Sequence, residues 1–101
     1  MTIDDLKKEL CDNPMVVVKF GAEWCGPCMV MAPIFDQLAE ENKDVKMVSI
    51  DIDDSGDVAD EFGIMNVPTM MYFKNGEFKN VVSGLQSKSA MEFQLEQLRL
   101  R

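Results

Sequence analysis

Cys25 and Cys28 stand two residues apart in the stretch EWCGPCMV, residues 23–30, separated by Gly26 and Pro27 and preceded by Trp24. Two thiols so spaced can ligate a metal, form a permanent crosslink, or make and break a bond as their work. A structural zinc site needs four ligands, usually two such pairs or cysteines with histidines. An iron–sulfur cluster needs four as well. This chain offers one pair, a distant Cys11 and no histidine, so metal is disfavoured. A permanent disulfide here would close a loop too short to restrict the unfolded chain much.

The redox reading accounts for the neighbours. Cys25 follows an apolar strand and opens a helical pattern. A sulfur there meets unsatisfied N–H groups and the positive end of the helix dipole, which favour thiolate over thiol. Cys28 lies one turn further in, within reach of a disulfide formed on Cys25. Pro27 has its fixed φ in the first turn, where its missing N–H costs nothing. Gly26 has no side chain, so a substrate backbone can approach. With no histidine in the chain, no Cys–His pair can form, and the thiol must be activated in this other way.

The elements that must hold these groups can be read from periodicity and breakers. Thr2 can cap a first helix, with Asp4 and Asp5 in its first turn and Ile3, Leu6 and Leu10 on one face; Asn13-Pro14 ends it. MVVVKF (15–20) reads as a buried strand. A long helix follows the cysteines, with Met31, Ile34, Phe35 and Leu38 inward and Pro33 inside it, where it should bend the axis. VKMVSIDI (45–52) is a second strand, and a short helix from about 55 to 62 stops at Gly63. TMMYFK (69–74) and EFKNVV (77–82) flank Asn75-Gly76, a strong hairpin signal. The last helix starts near Ser87 or Ser89, and Ser89 with Glu92 has capping-box spacing. Met91, Leu95 and Leu98 line its apolar face, and Arg99 and Arg101 suit its C-terminal dipole. The order α-β-α-β-α-β-β-α predicts an α/β fold: one mixed four-stranded sheet with helices on both faces.

Composition narrows the function classes. The 101 residues suit a single domain, 1–101, and 47% are hydrophobic, as in a globular protein. No apolar run is long enough to span a membrane. The charged start MTIDDLKKEL has no secretory h-region, so we expect a cytoplasmic chain, where thiols are kept reduced. The net charge is −8, with Asp44, Asp51, Asp53, Asp54, Asp57, Asp60 and Glu61 close together in sequence. That repels nucleic acid and reads as a solvated face.

The stretch AEWCGPCMVMAP resembles the active site of the thioredoxin family. GIMNVPTMMYFKNGE resembles that family's segment around its cis-proline, and VVSGL its last strand. The resemblance runs from about Leu6 to Leu98 in the family's order. It implies a thioredoxin fold and a protein-disulfide reductase in which Cys25 is the nucleophile and Cys28 the resolving thiol. It implies Trp24 as an exposed aromatic beside the sulfurs, and a cis Val67-Pro68 peptide packed against them. Gly84 would complete an apolar groove with Trp24, Pro27 and Val67. No bound cofactor is implied. The working group is a reversible Cys25–Cys28 disulfide, restored by a separate thioredoxin reductase at the expense of NADPH. The substrates would be disulfide-containing proteins, and a monomer with no nucleic-acid or membrane partner is expected. The alternatives are a disulfide oxidant or isomerase, or a non-catalytic scaffold of the same fold.

Two departures from the family stand out. The helix signal begins at Thr2, leaving no residues for the usual first strand, so four strands are expected with 45–51 on an open edge, blunted by Asp44, Lys46 and Asp51. The second is Lys19 in VVVKF, where the family usually carries a buried aspartate. Strand alternation puts Lys19 on the face opposite Val18 and Phe20, and the resemblance implies that this face meets the active-site helix. It either reaches water or an acid, affecting stability alone, or tunes the redox site by stabilising thiolate, in which case Lys19→Met raises the pKa of Cys25. Cys11 reads as a small hydrophobe in the last turn of the first helix. The nine methionines read as core filler, with Met29, Met31 and Met65 as candidates for soft substrate contact.

Overall fold

A computed structural model describes residues 1–101. Eight elements follow one another: α1 (Ile3–Asp12), β1 (Met15–Gly21), α2 (Gly26–Glu41), β2 (Lys46–Asp51), α3 (Gly56–Glu61), β3 (Thr69–Lys74), β4 (Glu77–Ser83) and α4 (Lys88–Leu100). One four-stranded sheet has the order β2-β1-β3-β4. β1 pairs in parallel with β2 and antiparallel with β3, and β3 and β4 form the hairpin. The expected element order and the mixed sheet are both present, and β2 forms an edge.

Three of the four helices start on a capping side chain, α3 being the exception. Thr2 Oγ1 accepts from the Asp5 amide at 3.1 Å, and Asp5 Oδ2 accepts from the Thr2 amide at 2.9 Å, so two donors without helical partners are satisfied reciprocally. At α4 the cap is Ser87, whose hydroxyl accepts from the Ala90 amide at 3.2 Å. The capping box expected from Ser89 and Glu92 is therefore not the one used. Ser89 already lies inside the helix, and its hydroxyl is 3.2 Å from that of Ser87. Asn75 and Gly76 both have positive φ (53° and 80°), the pattern of a type I′ turn, whose twist matches a two-residue hairpin.

Alternation along β1 divides the interior in two. Val16, Val18 and Phe20 join Leu6, Val48, Ile50, Val58, Met71 and Phe73 on the α1/α3 face. Val17 joins Met31, Phe35, Leu38, Met70, Tyr72, Met91, Leu95 and Leu98 on the α2/α4 face. Full burial of such side chains contributes about 1.5–3 kcal/mol each, so β1 is held from both sides and α2 is anchored on one face of it. Lys19 and Gly21 share the parity of Val17 and face α2.

One expectation about an individual residue is corrected and another is narrowed. Cys11 is an exposed free cysteine. The apolar stripe of α1 passes through Ile3, Leu6 and Leu10, and Cys11 lies about 100° round the helix from Leu10. Met31 is fully buried, as its place on the inward face of α2 requires, so of the three methionines offered for substrate contact only Met29 and Met65 are exposed. The charges at the β2 edge are also engaged elsewhere: Asp44 pairs with Arg99 of α4, and Lys46 lies 3.7 Å from Glu9 of α1.

Candidate active site

The chain leaves β1 at Gly21, turns through 22–25 and enters α2. Cys25 is the N-cap of that helix, and its Sγ accepts from the Cys28 amide at 3.3 Å. The first sulfur thus sits on an N–H that the helix leaves unpaired, as the sequence position demands. Cys25 and Cys28 are joined as a disulfide with their Cα atoms 5.3 Å apart. Both are buried, packed with Ala22 against Ile52 and Val67. Gly26 and Pro27 form the first two positions of α2 and are exposed.

Two further segments close round the pair. The Val67-Pro68 peptide is cis, and the Val67 carbonyl oxygen is 3.7 Å from Cys25 Sγ. The Gly84 amide donates to the Pro68 carbonyl at 2.8 Å, with Gly84 at φ +94°. Thr69 Oγ1 donates to the Asn66 carbonyl at 2.7 Å, tying the loop to the start of β3. Trp24 lies on the surface, 69% exposed, and its indole Nε1 donates to Asp53 Oδ2 at 2.9 Å. Trp24, Met29, Val30 and Met65 are all large apolar side chains left exposed on the segments that carry the site.

The structure thus brings Trp24, Cys25, Gly26, Pro27, Cys28, Val67, Pro68 and Gly84 onto three adjoining segments. Lys19 is beneath them. It is 6% exposed, and its Nζ stands 4.9 Å from the centre of the Phe35 ring. It lines a cavity of about 170 Å³ with Gly21, Cys28, Ala32, Ser49 and Asp51. Burial pushes the Lys19 amine below its ordinary pKa, and the carboxylate of Asp36 opposes that shift.

Sequence reasoning missed two residues here. Asp53 holds the Trp24 indole, but it was one carboxylate among many in an acidic stretch. Gly21 lies directly beneath the second sulfur: a Cβ on it would stand 3.5 Å from Cys28 Sγ. A glycine ending a buried strand is a signal of close approach that could have found it.

No group of three or more His, Cys, Asp or Glu side chains is placed to hold a metal ion. No helix is long and apolar enough to cross a membrane. A dithiol whose first sulfur sits on helix N–H groups, with an exposed apolar rim and a free carbonyl beside it, is suited to exchange with a disulfide on another protein.

Comparison with known proteins agrees with that chemistry. The Thioredoxin family model matches residues 1–97. A thioredoxin of Rickettsia felis is 42% identical over 93 residues, covering 90% of this chain and 89% of that one. Among solved structures, a mutant thioredoxin from Halobacterium salinarum superposes with a TM-score of 0.89 at 35% identity, covering 94% of this chain and 83% of that one. The oxidized mitochondrial thioredoxin 3 of Saccharomyces cerevisiae gives 0.89 at 30% identity, covering 96% and 91%. With the family matched over nearly all of its length and the cysteine pair disposed as a redox disulfide, the chain belongs to the thioredoxin family and is a thiol–disulfide oxidoreductase that reduces protein disulfides.

Proposed function

We propose that Cys25 is the attacking thiol and Cys28 the resolving one, within a single domain spanning 1–101. The observation that carries the assignment is the Cys28 amide donating to Cys25 Sγ at the N-terminus of α2. An N–H there stabilises sulfur when it bears negative charge, so Cys25 is the thiolate of the reduced form. It attacks one sulfur of a target disulfide and expels the other as thiolate, giving a mixed disulfide. Cys28 then attacks Cys25 Sγ, the target leaves reduced, and the Cys25–Cys28 bond forms. Both thiols are on one rigid turn, so the second step has a high effective concentration.

Trp24, Pro27, Val67, Pro68 and Gly84 bind the target in this reading. The exposed Trp24 indole supplies apolar area and is held by Asp53. The Val67 carbonyl beside Cys25 is an acceptor for an extended target backbone. Gly26 and Pro27 keep the surface over the sulfurs low. The reducing equivalents come from NADPH through a separate thioredoxin reductase, the cytoplasm is the compartment, and the chain works as a monomer.

Insulin reduction followed by turbidity tests the roles. Wild type turns over, Cys25→Ser and Cys28→Ser fall to background, and a folded Cys25→Ser that still turned over would refute the assignment.

A further inference from the structure

Phe78 and Val81 are apolar side chains of β4 that the exchange chemistry described above does not use, and they are 51% and 45% exposed. Strand alternation alone would set them on opposite faces of the sheet. The register shift between Tyr72 and Phe73 prevents that. Phe73 pairs with Phe78 and Tyr72 with Asn80, so Lys79 is an extra residue and Phe78 turns to the side of Val81. Their partners Phe73 and Met71 face the α1/α3 core. Leu6 of α1 and Val58 of α3 complete that core over β1, β2 and β3, and β4 adds nothing to it. The outer half of the hairpin is thus left bare on this face. The segment before the cis peptide walls it, and a cavity of about 390 Å³ lies between Phe62, Ile64, Met65, Met71, Phe78 and Val81.

We propose that this cavity is a specificity pocket for the protein target, receiving one large apolar side chain from the segment that carries the target's reacting cysteine. The inference rests on the reading that the target lies along Val67, Pro68 and Gly84. The cavity continues that surface. Asn66, Thr69 and Ser83 form its near end, and each is the chain neighbour of one of those three residues. Met71 lies three residues beyond Pro68, roughly 10 Å along the strand. An extended target spans that distance in about three residues, so the side chain belongs about two to four residues from the target's cysteine.

The lining fixes the class of side chain. No charged residue lines the cavity. Its hydroxyls are already engaged: Thr69 Oγ1 donates to the Asn66 carbonyl and lies 3.3 Å from the Ser83 hydroxyl. A charged side chain entering would lose water and gain no partner. The apolar wall is firm on one side, because Phe78 stands edge-on to Phe73, which in turn meets Phe62, with ring centres 6.0 Å apart in both pairs. Met65 at the rim is 95% exposed, and its unbranched thioether can follow aromatic or aliphatic shapes. The pocket therefore suits phenylalanine, leucine or methionine.

The test is single-turnover oxidation of the reduced protein by an excess of a disulfide-linked peptide dimer, read by acid quench and intact mass. Each peptide has one cysteine in a glycine–serine background, with phenylalanine or serine at one position within about four residues on either side. At the preferred position the phenylalanine peptide should react about tenfold faster than the serine peptide. Val81→Lys and Phe78→Ser should bring the phenylalanine peptide down to the serine rate while leaving the serine rate unchanged, which destabilisation of the fold would not do. Equal rates for phenylalanine and serine at every position overturn the proposal, as does a phenylalanine preference that persists in folded Val81→Lys. So does a wild-type dimer in sedimentation that Val81→Lys dissociates, which would assign the cavity to a second copy of the chain. A serine peptide that fails to oxidise the wild type through Cys25 would instead overturn the assignment of the thiols.

Discussion

The indole N–H of Trp24 donates to the carboxylate of Asp53 across 29 residues of sequence, a 2.9 Å bond between two surface side chains. It fixes the ring beside the cysteines while leaving its apolar face to solvent. Aromatic side chains held in this way dominate the energetics of protein contacts. Trp24→Ala should lower kcat/KM for insulin reduction by roughly tenfold, equivalent to about 1.4 kcal/mol. Stability should change by no more than about 0.5 kcal/mol. Paired insulin kinetics and urea midpoints check this; a large loss of stability with unchanged kinetics would mean that the ring is structural.

The three methionines near the site should separate into two classes. Met31 is fully buried among Val17, Phe35 and Leu38, so Met31→Ala should cost about 2–5 kcal/mol. Met29 and Met65 are exposed, so their alanine variants should stay within about 0.5 kcal/mol of wild type. Denaturant titration of the three variants reads the difference directly.

Gly84 has φ +94° and donates its amide to Pro68. A Cβ added there meets no atom within 4 Å, so its cost is backbone strain and not a clash. Gly84→Ala should destabilise the fold by about 1–2 kcal/mol. By displacing the Pro68 segment it should also lower insulin reduction more than Gly26→Ala does.

Arg99 of α4 clasps Asp44 with two bonds, at 2.8 and 3.0 Å, and also donates to Asn42. The guanidinium holds the Asp44 carboxyl below its ordinary value of 3.8 in the folded chain. The stabilisation is fully present above that value and is lost as pH falls through the lower folded one. Both side chains are partly exposed, so Asp44→Asn should cost only about 0.5–1 kcal/mol near pH 7. The difference from wild type should vanish in strong acid, as urea midpoints across pH will show.

Much of this was legible in the residues themselves. The apolar periodicities and the Asn75-Gly76 turn sufficed for the elements, because local chemistry and burial agree at those places. The two cysteines and Pro27 carry their reading in their spacing. What escaped notice depends on contacts distant in sequence. Ser87 and Ser89 are both able caps, and only the path of the chain from Gly84 decides between them. Asp53 is set apart from its acidic neighbours solely by where Trp24 comes to rest. The exposure of Cys11 follows from a rotation of about 100° past Leu10, too small a difference for a short helix to advertise. Alternation set Lys19 opposite Val18 and Phe20, but its meeting with α2 came with the resemblance, and only the folded chain shows that it shares a cavity with Cys28.

The most direct test of the exchange mechanism is the intact mass of Cys28→Ser after incubation with a protein disulfide. With the resolving thiol gone, a mixed disulfide should accumulate, and digestion should map it to Cys25 alone. Cys25→Ser should accumulate none, and the exposed Cys11 should stay unmodified in both. A stable adduct mapped to Cys11, or no adduct on Cys25 in a folded Cys28→Ser, would contradict the account.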